Sequence, residues 1–278
     1  MTKKGQGDLE KPNFDPKRFI FGIIFGVVII LSIFLLNIYE FFIVSAVMTA
    51  LSVYEIYSIF DLSEYKYFIL PELLAILTSF SFAFLKEGAF IFILFFSVFL
   101  IFLKNILSFK NDFGKTLFID LFSIIYTGFL ISFLVKIFAV SGGRMLILLL
   151  FILVWASDIF AYYGGRHFGM HKLIVSLSPK KTVEGAVIGF LAALLTALIF
   201  RVFISEYKEF TVLLFIFLSS VTIIAGMFGD LTESLIKRMG GKKDSGNLIP
   251  GHGGILDRID SLILAAPFFY YIMIFCLK

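Results

Sequence analysis

Nine runs of mostly apolar residues, at 19–38, 41–60, 68–85, 88–107, 117–140, 145–163, 183–204, 211–229 and 259–277, leave this chain few ways to fold. At 1.5 Å of rise per residue, about 20 helical residues cross the hydrocarbon of a bilayer, and most of the runs have that length. Inside hydrocarbon every backbone N–H and C=O must be satisfied within the protein, which helices do by themselves. The expected fold class is therefore an all-α polytopic membrane protein with about nine transmembrane helices. Hydrophobic residues make up 60% of the chain and charged residues only 16%, and the mean hydropathy is +1.01. Such a composition excludes an ordinary soluble domain.

Details of the runs refine this. Residues 19–38 are long enough to span, so the first run reads as a retained helix and not as a cleaved signal. Only Tyr39 and Glu40 separate it from the second run, which predicts a tight helical hairpin, and Pro71 falls near the start of the third run, where a helix tolerates it. The single cysteine, Cys276, excludes an internal disulfide and makes redox or thiol-metal chemistry a poor reading. A net charge of +4 with no interleaved basic and aromatic residues points away from nucleic acid. With the N-terminus in the cytoplasm, 18 of the 24 lysines and arginines fall on the cytoplasmic side, as the positive-inside rule requires. That orientation places two polar stretches, 164–182 and 229–260, at the cytoplasmic face.

The stretch 229–260 is the most polar part of the chain. Its carboxylates come in i,i+3 pairs, Asp230 with Glu233 and Asp257 with Asp260, a spacing that puts both members on one helical face. Between the pairs lie Lys237, Arg238, Lys242 and Lys243, then a glycine-rich turn with Gly246, Gly251, Gly253 and Gly254 around His252. Carboxylate oxygens suit Mg²⁺, whereas cations and exposed backbone N–H groups suit phosphate. The combination implies a site for a metal-bound nucleoside triphosphate at a membrane surface.

Charges within apolar runs are costly, about 2.5–3.5 kcal/mol at the bilayer centre, and each needs an account. Lys136 and Arg201 can snorkel to the outer interface and Asp120 sits near a helix start, so these read as structural. Asp158 lies about 7 Å from the cytoplasmic end of its run and can face a polar cavity. Glu55 has no sequence neighbour that explains it, which leaves a cavity or a subunit contact. After Asp158, the glycines Gly164 and Gly165 predict a helix end and a turn into a basic loop closing with Lys180 and Lys181. Taken alone, those two lysines are better explained as anchors against anionic headgroups.

The residues Ser234, Lys237, Arg238, Lys243, Asp244, His252, Gly253, Gly254, Asp257, Arg258 and Asp260 stand in the order S-x-x-K-R-x(4)-K-D-x(7)-H-G-G-x-x-D-R-x-D. This pattern resembles the signature of the phosphatidate cytidylyltransferases, the CDP-diacylglycerol synthases. Eleven fixed residues over 27 consecutive positions make chance agreement very improbable. The elements S-D-x-x-A-Y at 157–162 and S-P-K-K-T-x-E-G at 178–185 look like further parts of the family pattern, although many relatives carry tryptophan where this chain has Val183. Before residue 140 the resemblance is only to a series of membrane helices.

The resemblance implies Mg²⁺-dependent transfer of a cytidylyl group from CTP to phosphatidic acid, with one or two cations, giving CDP-diacylglycerol and pyrophosphate at the bacterial cytoplasmic membrane. It also implies a homodimer. Asp230, Asp257 and Asp260 are then the expected metal ligands. Ser234, Lys237 and Arg238 would neutralise the triphosphate, and Lys243 with the backbone of Gly251, Gly253 and Gly254 would cradle phosphate. His252 would orient a phosphate. Asp244 either binds metal or fixes Lys243, and Arg258 either pairs with an aspartate or contacts phosphate. Asp158, Lys180 and Lys181 would complete the site from other helices. On this reading 1–18 is a cytoplasmic polar segment, 19–140 an N-terminal set of membrane helices, and 141–278 the catalytic region with its signature loop. Two alternatives stand beside it: a CTP-dependent lipid-alcohol kinase, which would use similar phosphate chemistry but transfer the γ-phosphoryl group, and a cation transporter, which would use intramembrane acids such as Glu55 and Asp158. The latter would need its acids near the bilayer midplane, not clustered at one edge.

Overall fold

The computed structural model describes residues 16–62, 64–108, 113–204, 210–246, 248 and 253–276. Among them are α1 (Pro16–Leu35), α2 (Ile38–Ile59), α3 (Tyr65–Phe84), α4 (Glu87–Leu107) and α5 (Phe113–Ser123). A π-helical turn, Ile124–Phe129, leads from α5 into α6 (Ser132–Ala139), followed by α7 (Gly143–Phe168), α8 (Val183–Phe203), α9 (Val212–Met239) and α10 (Leu256–Cys276). Because α5, the π turn and α6 form one span, Phe113–Ala139, the helices correspond one for one to the nine apolar runs. Eight are long and apolar enough to cross a membrane; the described apolar part of α1, Gly26–Leu35, is shorter. The protein is an integral membrane protein.

Helix ends differ from the hydropathy limits where a side chain or a glycine contact intervenes. The first hairpin turns at Asn37, earlier than Tyr39 and Glu40, because Asn37 caps α2. Its side-chain oxygen accepts from Tyr39 N at 2.9 Å and Glu40 N at 3.1 Å, while Glu40 returns a bond to Asn37 N at 2.8 Å. The helix α7 runs through Gly164 and Gly165 to Phe168 and does not end at them. A Cβ on Gly164 would lie 2.7 Å from the Ile188 side chain, so the glycines serve the approach of α8. After α7, the stretch expected as a loop forms a small antiparallel hairpin, β1 (Lys172–Ile174) with β2 (Ser178–Thr182).

Pro71 lies inside α3, past its first turn. Proline has no N–H, so the Tyr67 carbonyl four residues back loses its helical donor. Lys104 replaces it, with Nζ 2.9 Å from Tyr67 O and 2.9 Å from Asp120 Oδ2. Asp120 is fully buried and also accepts from Asn105 Nδ2 at 2.6 Å and from the Tyr57 hydroxyl. These four side chains pin α2, α4 and α5 together through a satisfied polar cluster, which supports the structural reading of Asp120.

Lipid tails are as apolar as leucine, so close backbone approach and internal hydrogen bonds hold membrane helices together more than apolar burial does. The π turn shows both. A Cβ on Gly128 would be 2.7 Å from Ala75 O on α3, and Thr49 Oγ1 donates to Thr127 O at 3.2 Å. Between α7 and α8, a Cβ on Gly189 would meet Ser157 O at 2.6 Å. Between α9 and α10, one on Gly229 would meet Asp260 O at 2.5 Å and Ser261 Cα at 2.9 Å. Gly229→Ala is accordingly expected to cost about 1–3 kcal/mol and to lower the thermal midpoint in detergent. Gly88→Ala, where a Cβ meets nothing within 4 Å, is expected not to lower it. Equal midpoints for the two variants would remove this account of the α9–α10 contact.

Candidate active site

The last three turns of α9 and the first two of α10 carry the polar residues, and the glycine contact at Gly229 holds them side by side. Because α9 continues to Met239, ten residues past its apolar run, Asp230, Glu233, Ser234, Lys237 and Arg238 stand on one rigid helix. Asp230, Glu233 and Asp260 come together, with one carboxylate oxygen from each lying within 4.8 Å of the others. Glu233 is fully buried and ion-paired to Lys237; Asp230 is ion-paired to Lys181 at the end of β2. Three carboxylates this close repel one another by an amount on the order of 3 kcal/mol per pair at an effective dielectric of about 20. Two lysines do not neutralise three acids, and an all-oxygen donor set suits a hard divalent cation such as Mg²⁺. The residues present therefore fit a metal.

Asp257, expected as a third metal ligand, lies beside this group in hydrogen-bond contact with Glu233 and is held by further bonds. Its Oδ1 accepts from Lys237 Nζ at 2.7 Å, and its Oδ2 accepts from Gly254 N at 2.8 Å and Ser245 N at 3.1 Å. It thus sits one residue inside α10 and ties Ser245 and Gly254 to the start of that helix. Gly253 has φ +82°, a left-handed conformation, and a Cβ there would collide with the Asp257 carboxylate, which explains a glycine at this position. Lys237 bridges the two groups of acids by contacting both Glu233 and Asp257.

Glu55 reaches this loop from α2. Its two carboxylate oxygens accept from Ile255 N and Leu256 N, each at 2.8 Å, and Ser245 Oγ lies 3.0 Å from Oε2. Those amides belong to the open N-terminal turn of α10, so Glu55 acts as a cap supplied from a distant helix, where a negative charge also meets the positive end of the helix dipole. Gly254 and Gly246 lie against the same carboxylate. Sequence reasoning left Glu55 without a partner; the signal was present, as an acid in an apolar run must find one, but the partner lies 200 residues away. Glu233 was recognised as the companion of Asp230 and not placed in the site; Ser245 was not singled out at all.

The other expected residues are distributed as follows. Asp158, exposed on α7, is close enough to Asp230, Asp260 and Lys181 to interact with their charges. Ser234 is buried on α9, and Arg258 is partly buried in the first turn of α10. Arg238 donates to Leu177 O at 3.2 Å and Lys242 O at 3.1 Å, fastening the β-hairpin to the end of α9. Lys180, Lys243 and Asp244 are exposed, the latter two beside a cavity of 280 Å³ with Ser58, Ile59 and Gly246. Lys242 pairs with Asp61 at 2.8 Å, which holds the Asp61 carboxyl below its usual range. Gly251 and His252 lie outside the described residues.

This arrangement, with acids, lysines and a capped glycine loop at one end of a helical membrane protein, sits within a sequence that matches the cytidylyltransferase family over residues 16–276. The chain belongs to the cytidylyltransferase family. Phosphatidate cytidylyltransferases from three bacteria are similar to its sequence. That of Haemophilus influenzae is 50% identical over 137 residues, 49% of this chain and 48% of the relative. That of Staphylococcus saprophyticus is 43% identical over 157 residues, covering 55% and 58%, and that of Thermotoga maritima is 38% identical over 153 residues, covering 54% and 56%. The aligned part of this cytidylyltransferase chain spans about half the length of the curated relatives it matches.

Proposed function

We propose that the protein transfers the cytidylyl group of CTP to phosphatidic acid, forming CDP-diacylglycerol and pyrophosphate at the cytoplasmic face of a bacterial membrane. The observation that carries this reading is the grouping of Asp230, Glu233 and Asp260 beside Lys181 and Lys237, at the end of two membrane helices. Membership of the family and the three relatives support it.

Asp230, Glu233 and Asp260 would hold Mg²⁺, with Asp257 next to them on α10. When bound, the ion supplies positive charge that neutralises the triphosphate and the developing pyrophosphate. The lipid phosphate is already ionised near neutral pH, so attack on the α-phosphorus needs alignment and charge neutralisation more than a general base. Lys181 and Lys237 each contact a carboxylate and stand within the site, where phosphate oxygens can share their ammonium protons. Arg238 keeps β2, and with it Lys181, attached to α9. Glu55 and Asp257 hold Ser245, Gly254, Ile255 and Leu256, at the two ends of the glycine-rich stretch, against the start of α10. The homodimer implied by the resemblance is part of this reading.

Purified protein in detergent, given CTP and phosphatidic acid, should release pyrophosphate and form a lipid with the mass of CDP-diacylglycerol, only when Mg²⁺ is present. Diacylglycerol in place of phosphatidic acid should give nothing. Release of CDP with phosphorylation of a lipid alcohol would replace the proposal by the kinase reading. If folded protein turns over no nucleotide with any lipid, ion flux becomes the activity to measure.

A further inference from the structure

An apolar cavity of 430 Å³ lies between α5, the π turn, α9 and α10, lined by Phe118, Leu121, Phe122, Ile125, Leu130 and Leu264. Its volume falls in the range of about 300–1,000 Å³ typical of small-molecule sites. Phe118 and Ile125, at 45% and 49% exposure, stand on a membrane span, so the cavity opens toward lipid. Its inner wall belongs to the acid-bearing helices. Thr232, between Asp230 and Glu233 on α9, lines it, and so does Leu264, one helical turn beyond Asp260 on α10. The remaining wall residue is Tyr126.

Tyr126 sits in the π turn, an irregularity that often marks functional positions in helices. Its side chain is 3% exposed and its ring stacks on Phe122 with centroids 4.8 Å apart. Its hydroxyl is buried without a hydrogen-bond partner among the described residues. The charges of Asp260, Glu233 and Asp230 all act on that hydroxyl, which places it on the side of the acids. A buried hydroxyl normally finds a partner, and leaving one unpaired costs about 1–3 kcal/mol. A ligand that passes from the apolar cavity to the acids would supply that partner.

We infer that this cavity is the seat of the lipid substrate, taking an acyl chain along Phe118, Phe122 and Leu264, with the Tyr126 hydroxyl donating to an oxygen of the lipid's phosphate or glycerol ester. The inference rests on the cytidylyl-transfer reading. It commits to the lipid because one structure joins an opening to hydrocarbon, an apolar wall and a buried hydroxyl without a partner among the described residues, within the field of the acids. An acyl chain housed there never leaves an apolar environment, whereas exposing it to water costs about 0.8 kcal/mol per CH₂. The cavity then discriminates by chain, and Tyr126 by head group.

Two variants test it in detergent with CTP and Mg²⁺. Phe118→Trp fills the mouth from an already exposed position, and Tyr126→Phe removes one oxygen without changing shape. Phe118→Trp should raise the KM for dioleoyl phosphatidic acid several-fold, leaving the KM for dihexanoyl phosphatidic acid and for CTP unchanged. Tyr126→Phe should raise the KM for both lipids by about threefold to tenfold, the worth of one hydrogen bond, with the CTP KM unchanged. Leu191→Trp, on the exposed face of α8, should match wild type. Lipid KM values unaltered in both variants, with wild-type turnover intact, would overturn the cavity assignment alone. Altered CTP KM would overturn it by moving the residues to the nucleotide. Absence of turnover in wild type would overturn the reading beneath it.

Discussion

Asp260→Asn is expected to reduce CDP-lipid formation by at least about a hundredfold while leaving the protein folded, the scale seen when one preorganised electrostatic contact to a transition state is lost. Asparagine keeps the shape and one neutral oxygen but removes a charge from the triad Asp230, Glu233 and Asp260. Like-charge repulsion among three close carboxylates falls at the same time, so the thermal midpoint without added metal should hold or rise. Wild-type protein should gain stability as Mg²⁺ is added, because a ligand that binds only the folded state stabilises it by mass action, and the variant should gain much less. Asp257→Asn makes the informative comparison. Its carboxylate holds Lys237, Ser245 and Gly254, so this change should lower the midpoint as well as the rate. Wild-type turnover and an undiminished Mg²⁺ stabilisation in Asp260→Asn would remove the triad from the site.

Glu55→Ala should produce the second large effect, and from outside the signature. Truncation leaves Ile255 N and Leu256 N without the bonds they now make at 2.8 Å, each worth about 1–3 kcal/mol when orphaned in a buried place. It also empties space beside Gly246 and Gly254, so the loop loses the surface it lies on. Activity should fall by at least about tenfold together with a lower thermal midpoint. Glu55→Gln keeps one acceptor oxygen and should recover part of the stability, because a neutral cap still satisfies an amide but meets the helix dipole without charge. Thermal unfolding and turnover measured on the three proteins check this. A Glu55→Ala protein as stable and active as wild type would mean that α10 does not need its remote cap.

Much of the molecule could be read before any coordinates. Hydropathy places nine helices because backbone satisfaction in hydrocarbon is a local requirement that each segment meets for itself. The i,i+3 spacing of Asp230 with Glu233 is equally local, and it survives because α9 stays helical through both residues. The limits of helices were less accessible. Gly164 and Gly165 have the form of a helix end, yet α7 passes through them, because what they satisfy is the approach of Ile188, Thr182 and Gly185. Pro71 has the form of a first-turn residue, yet it lies inside α3 with Lys104 serving the carbonyl it deprives.

The sequence by itself determined that this is a helical membrane protein, that its acids and cations are concentrated at residues 229–260, and which family it resembles. All three depend on composition, on periodicity along one helix, or on residues near one another in the chain. Only the tertiary structure decided which acids share a point in space. The approach of α9 to α10 at Gly229 unites Asp230, Glu233 and Asp260, while Asp257 is drawn to Lys237 and the glycine loop. Glu55, Lys181 and Tyr126 enter the neighbourhood from α2, β2 and the π turn. Their partners are set by packing between segments far apart in the chain, and a charge or hydroxyl buried away from water announces that it needs a partner without saying which.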